Sequence, residues 1–283
     1  MTAQLFKDTQ PMDLPANTSA LIDSHVHIDD NRFEEDRLPV IQAARAANVI
    51  AQVLPAVSRQ HWPRLKFLCS EHSDLFACYG LHPCFCDDHT LQDIDELAHW
   101  LARERPVAVG ECGLDYFITD GDKAMQQRLF AAQLALAREF NLPIVIHARK
   151  AVEDVIRMIR ASGHSRGVVH SFNGSASQAN RLIDLGYKLS FGGAVTFTRA
   201  SRLRKLFSEL PLSAIMLETD APDQPDTLHD NRRNQPAYLV DVWQDLSQLR
   251  EEPPEQVAAI TTQNTIELFR LPLRMDENNR LVV

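Results

Sequence analysis

Ala20-Leu21-Ile22-Asp23-Ser24-His25-Val26-His27 joins an apolar run to two histidines spaced two apart. A strand buried on both faces reads as a near-continuous apolar run, and such strands belong to parallel sheets. In an extended segment alternate side chains share a face, so His25 and His27 project together, two imidazoles aimed at one point. Both suit a borderline divalent cation. A single His-x-His is weak evidence, equally consistent with two polar side chains at a strand end. Its weight comes from what is repeated downstream.

Counting the 20–28 run, short β-branched strands are expected at 49–57, 75–81, 107–115, 143–148, 167–172, 188–193 and 214–219. Helix-period segments fall at 37–47, 90–105, 123–141, 151–162, 177–185 and 201–210. A polar, proline-containing loop at 220–234 precedes helices near 237–250 and 254–269. Alternating strands and helices with apolar strand cores predict a parallel sheet covered by helices. Eight such units predict an α/β fold of the closed (β/α)8 TIM-barrel type. The 283-residue length fits one such domain, assigned to 20–270, with an N-terminal extension at 1–19 expected to be poorly ordered and a C-terminal tail at 271–283.

Composition narrows the function. The 45% apolar content is ample for a core, and no stretch approaches the roughly 20 apolar residues of a membrane span. The polar, proline-bearing start lacks the apolar core of a signal peptide, so a cytoplasmic protein with no membrane partner is expected. Five unevenly spread cysteines argue against a disulfide framework, and the close pair Cys84 and Cys86 reads as loop thiols. A net charge of −9 disfavours broad non-specific nucleic-acid binding. It leaves room for a polyanionic substrate in a local pocket where bound cations reverse the field. Nothing points to an obligate protein partner.

Barrel chemistry gathers at the C-terminal ends of strands. There the chain places His25 and His27, then Gly80-Leu81-His82-Pro83, Gly110-Glu111-Cys112-Gly113-Leu114-Asp115, Ile146-His147-Ala148-Arg149, Val169-His170-Ser171-Phe172-Asn173-Gly174 and Leu217-Glu218-Thr219-Asp220-Ala221-Pro222. Each residue alone has an ordinary structural use: a hydrogen-bonded histidine, a salt-bridging Glu111, an N-capping Asp220. Together, His25, His27, His147, His170, Glu111 and Asp220 would bring four imidazoles and two carboxylates to one mouth. One tetrahedral zinc cannot use so many donors. Two divalent ions with a bridging carboxylate can, and the reading is a binuclear metal hydrolase.

These six segments, in this order, resemble the TatD family of metal-dependent deoxyribonucleases within the amidohydrolase superfamily, and its YjjV-type branch in particular. The resemblance implies that His25 and His27 hold one ion, His147 and His170 the other, and Glu111 bridges. It implies that Asp220 binds metal and orients or deprotonates the attacking water, while His82 and Arg149 face the scissile phosphate. A planar guanidinium suits phosphate oxygens. After Asp220-Ala221-Pro222 the chain departs from the pattern, reading Asp223-Gln224-Pro225-Asp226 where many members carry tyrosine and leucine.

The expected substrate is DNA or another phosphodiester, cut from an end. The alternative is amidohydrolase-type hydrolysis of a small amide, ester or lactone, since a barrel does not fix its substrate. A metal-stabilised binding protein is a third reading. The mixed donor set permits zinc, manganese, iron or nickel, and the resemblance adds magnesium as an activator. Arg232 and Arg233 read as phosphate contacts or solvated surface charges. Phe172, Phe191 and Phe197 read as base-stacking rings, the first two better as core.

Overall fold

The computed structural model describes residues 19–118, 121–275 and 281–282, so the extension read at 1–19 lies, but for Ser19, outside the described residues. Eight strands pair in chain order, every neighbour parallel: β1 (Leu21–Asp23), β2 (Val49–Pro55), β3 (Leu75–Tyr79), β4 (Ala108–Asp115), β5 (Ile144–Arg149), β6 (Gly167–Val169), β7 (Tyr187–Phe191) and β8 (Ile215–Leu217). The sheet returns on itself where Ser24 N–H donates to Leu217 O (3.0 Å) and Asp220 N–H to His25 O (2.9 Å). The crossovers carry α1 (Arg37–Ala46), α2 (Trp62–Glu71), α3 (Gln92–Glu104), α4 (Lys123–Glu139), α5 (Val152–Ser162), α6 (Ala176–Asp184) and α7 (Ser201–Glu209). α8 (Leu239–Ser247) and α9 (Pro254–Phe269) follow β8. The fold is the expected (β/α)8 barrel.

The apolar strands follow from burial on both faces. In β5, Ile144 and Ile146 join the cluster beneath the helices, whereas Val145 joins an inner cluster with Ile22, Val53, Cys78, Ala108, Val168 and Met216. Ile266, Leu268 and Phe269 at the end of α9 pack into that inner cluster, so the helix end closes one end of the barrel. All the strands but β5 are shorter than expected, most of all β1, β6 and β8, because the chain bends away into loops once the ladder ends, while β5 keeps six residues. α2 is a helix that periodicity does not single out. Its buried residues, Trp62, Leu65 and Leu68, form a narrow stripe, with Phe67 62% exposed beside it. In the segment read as a C-terminal tail, β9 (Arg274–Met275) pairs antiparallel with β10 (Leu281–Val282). Among the described residues no helix is long and apolar enough to cross a membrane.

Candidate metal centre

The two-residue period of the strands delivers most of the site. Val145 faces the barrel interior, so His147 and Arg149 continue the same face toward the mouth. Val168 does the same for His170 and Met216 for Glu218, each one residue past its strand with its N–H still bonded to the neighbouring strand, whereas Asp220 lies beyond β8 in a bend with φ +56°. Strand β4 breaks this phase. Ala108 lies in the inner cluster, and strict alternation would turn Glu111 outward. The β4–β5 register shifts between Val109 and Cys112, which sends Cys112 to the outer cluster and Glu111 inward. Gly110 sits in the shift with φ +143°, and a Cβ there would meet Val145 at 2.8 Å. Only glycine fits that turn without displacement.

His25 and His27 converge, but not by strand alternation, because β1 ends at Asp23. The bend after it is held by Val26 N–H to Val53 O (3.1 Å) and His27 N–H to Ala221 O (2.8 Å). The two Nε2 atoms lie 3.2 Å apart. Glu111 Oε2 is 3.2 Å from His25 Nε2 and 3.4 Å from His27 Nε2, while Asp220 Oδ1 is 3.5 Å from each. Tetrahedral coordination with bonds of about 2.0–2.1 Å separates neighbouring donors by roughly 3.3–3.4 Å. Five of the six separations therefore lie close to the edges of a tetrahedral cage, and His25, His27 and Asp220 form a donor group that fits a divalent ion.

The other oxygen of Glu111 serves a second set. Oε1 is 3.2 Å from His147 Nδ1 and 2.8 Å from His170 Nε2, and those two nitrogens are 3.2 Å apart. His82 Nε2 is also 3.0 Å from Oε1, while His82 Nδ1 accepts from Cys84 N–H at 3.0 Å. Accepting at Nδ1 fixes the neutral tautomer with its proton on Nε2, so His82 donates to Glu111. Burial keeps it neutral, holding its pKa down at about 4.

The remaining charges are strongly coupled. Burial favours neutral Glu111, but the imidazoles of His82, His170 and His25 outweigh it and hold the carboxyl well below its usual range. Burial likewise opposes charge on His27, and hydrogen bonds to Asp220 and Glu111 override it, raising its pKa well above 6.5. Without a cation, these carboxylates draw protons onto His27, His147 and His170, while burial holds the pKa values of His25 and His82 down. A divalent ion would take the place of those protons.

The family profile described as TatD related DNase matches residues 22–270. The chain belongs to the TatD family. The metal-dependent hydrolase YjjV of Escherichia coli K12 is 37% identical over 254 residues, covering 89% of this chain and 98% of that one. YabD of Bacillus subtilis, also a metal-dependent hydrolase, is 35% identical over 253 residues, covering 89% and 99%. The crystal structure of the Escherichia coli YjjV TatD homologue superimposes with a TM-score of 0.86 at 36% identity, covering 89% of this chain and 98% of that one. This TatD chain is a metal-dependent hydrolase.

Around the TatD donor set lie residues that motif reading did not assign. Asp115 Oδ2 is 2.9 Å from His147 Nε2, fixing that ring with Nδ1 toward Glu111. Asp115 lies two strand periods beyond Glu111 on the same face, so the signal was in the spacing. Cys84, read as a loop thiol, reaches into the mouth with Sγ 3.4 Å from Asp115 Oδ2. Asp23 accepts from Thr219 N–H (3.0 Å) and Oγ1–H (2.5 Å), binding the two ligand-bearing loops together. The departure at 223–226 has a structural use in this TatD chain. Gln224 Nε2 donates to Asp220 Oδ2, and Gln224 Oε1 accepts from Ser171 Oγ at 2.8 Å.

The other sequence candidates separate. Phe172 and Phe191 are buried against each other, ring centroids 6.4 Å apart. Phe197 is half-buried beneath Arg199, whose guanidinium carbon is 4.0 Å from the ring centroid. Arg233 pairs with Asp36 at 2.5 Å, and Arg232 is exposed. Arg149 is exposed at the mouth, stacked over Phe117.

Proposed function

We propose that this TatD hydrolase is a deoxyribonuclease that cleaves phosphodiester bonds in DNA from a chain end, using two divalent ions. The observation that carries the reading is the divided carboxylate of Glu111, with Oε2 among His25, His27 and Asp220 and Oε1 between His147 and His170. His25, His27, Glu111 and Asp220 would hold one ion, and His147, His170 and Glu111 the other. When bound, such a pair supplies a water of lowered pKa and stabilises charge on both the attacking and leaving oxygens.

The chain's own groups do the rest. Asp220 keeps its carboxylate ionised despite burial, because His27 and His25 face it. Gln224 holds Oδ2 and so turns Oδ1 toward His25 and His27, where the ionised carboxylate would bind an ion and orient or deprotonate attacking water. His82 steadies Glu111 with its Nε2 proton. The guanidinium of Arg149, stacked by its face, leaves its edges for phosphate oxygens. The phosphodiester class is supported by the family description and by a cavity of about 1270 Å³ at the mouth. Pockets for drug-sized ligands span about 300–1,000 Å³, so this mouth suits the end of a polymer better.

The test strips the protein with a chelator, restores magnesium, manganese or zinc separately, and follows end-labelled single-stranded DNA. Metal-restored shortening, absent in Asp220→Ala, is expected. Turnover of esters, lactones or cyclic amides with no DNA shortening would overturn the nuclease reading in favour of a small-molecule hydrolase.

A further inference from the structure

Charge is unevenly committed around the mouth. On the β1 and β8 side, Arg32 is held by both oxygens of Asp223 (2.8 and 2.7 Å) and by both of Asp30 (3.0 and 2.9 Å). That cation is neutralised. On the β4 and β5 side, Arg149 and Lys150 are exposed, and among the described residues neither forms an ion pair. Both lie over one aromatic ring. The Arg149 guanidinium carbon is 3.8 Å from the Phe117 centroid and the Lys150 ammonium 4.9 Å.

Phe117 itself is 49% exposed, a large ring that the core does not use. All three residues line the same cavity as Glu111, His147 and Asp220. Arg149 is the last residue of β5, on the face that carries His147, so the platform stands on the strand that supplies a metal ligand. A guanidinium stacked on a phenyl ring presents a flat apolar surface and free N–H edges together. Aromatic and guanidinium planes are the surfaces on which unpaired bases stack, and a lysine alongside supplies charge for phosphate.

We infer that Phe117, Arg149 and Lys150 form a nucleotide subsite, in which an unpaired base stacks on the Phe117–Arg149 platform and Lys150 holds an adjoining phosphate. This rests on the nuclease reading and deepens it. The substrate is an oligonucleotide with an unstacked base beside the cleaved bond, and a duplex end has to fray before it enters.

Binding is measured by fluorescence anisotropy of labelled oligothymidylate on the full chain carrying Asp220→Ala, and cleavage on the Asp220 background. Each uses Phe117→Ala, Phe117→Trp and Lys150→Ala, with Lys205→Ala, at an exposed position of α7, as a control for lost charge. Phe117→Ala is expected to weaken binding about 5- to 150-fold, the range of one lost base stack. Phe117→Trp restores it, and an abasic residue in the oligonucleotide erases the difference. Lys150→Ala lowers the slope of log affinity against log salt by about 0.7, one phosphate's worth for a single strand. If DNA is shortened but Phe117→Ala and Lys150→Ala bind and cut like Lys205→Ala, the subsite falls and the nuclease reading stands. If no DNA is cut yet binding depends on Phe117, the nuclease reading falls and the subsite stands. Absence of oligonucleotide binding overturns the subsite.

Discussion

Asp115 Oδ2 lies 2.9 Å from His147 Nε2 and thereby turns the other nitrogen of that ring, Nδ1, toward Glu111. Carboxylates behind metal-binding histidines fix tautomer and orientation, and their loss costs about 10- to 100-fold in metal affinity. Asp115→Ala is expected to weaken metal binding by that factor, with Asp115→Asn intermediate because it keeps an acceptor. Chelator competition measures it. Activity should return at high metal concentration, which a misfolded protein would not allow. Unchanged affinity in Asp115→Ala would remove His147 from the ligand set.

How much of this was legible depended on whether local geometry or the assembled barrel set a residue's direction. His147 and Arg149 were readable because β5 keeps its period to the end, from Val145 outward. Glu111 was readable as a residue type at a strand end, but its direction depends on a register shift in β4 that no period reveals. His25 and His27 form the expected pair for a different reason, a bend whose hydrogen-bond partners come from β2 and from the loop after β8. Gln224 was only partly within local reading. Asp220 lies four residues before it in the same loop, but Ser171 reaches it from the loop after β6, which only the assembled barrel brings alongside.

Gly110→Ala tests that register shift. A Cβ there would stand 2.8 Å from both Cβ and O of Val145, at a φ of +143° that other residues rarely adopt. Strain of this kind costs about 1–3 kcal/mol. The variant should lose roughly that in urea unfolding and, because Glu111 is the next residue, bind less metal per folded molecule. Wild-type stability with full metal content would show that β4 tolerates another path.

The metal-free protein should lose stability as pH rises, and the metal-loaded protein should not. Burial opposes charge on His170 and His147, but Glu111 for the first and Asp115 with Glu111 for the second outweigh it, so both pKa values lie above 6.5. His27 is raised in the same way. Groups raised in the folded state stabilise it fully below the unfolded pKa of about 6.5, and that stabilisation fades as pH climbs through the folded values. Metal binding displaces the same protons, so affinity rises with pH. The Tm difference between metal-loaded and chelated protein should widen from about pH 6 to about pH 8. A constant gap would mean that these imidazoles are neutral before metal arrives.

Phe269→Ala separates the closed end of the barrel from its mouth. The ring is 2% exposed and packs with Ile22, Val145, Val168 and Met216 inside the strands. Truncating a buried phenylalanine leaves a cavity and costs about 3–5 kcal/mol, which urea unfolding would read directly. The candidate ligands sit in β4 and at the ends of β1, β5, β6 and β8, beyond the inner cluster into which α9 packs. Metal affinity of the folded fraction should therefore stay at the wild-type value while stability falls. A loss of less than about 1 kcal/mol would show that α9 does not seal the barrel. Weakened metal binding without lost stability would show instead that the inner cluster positions the ligands.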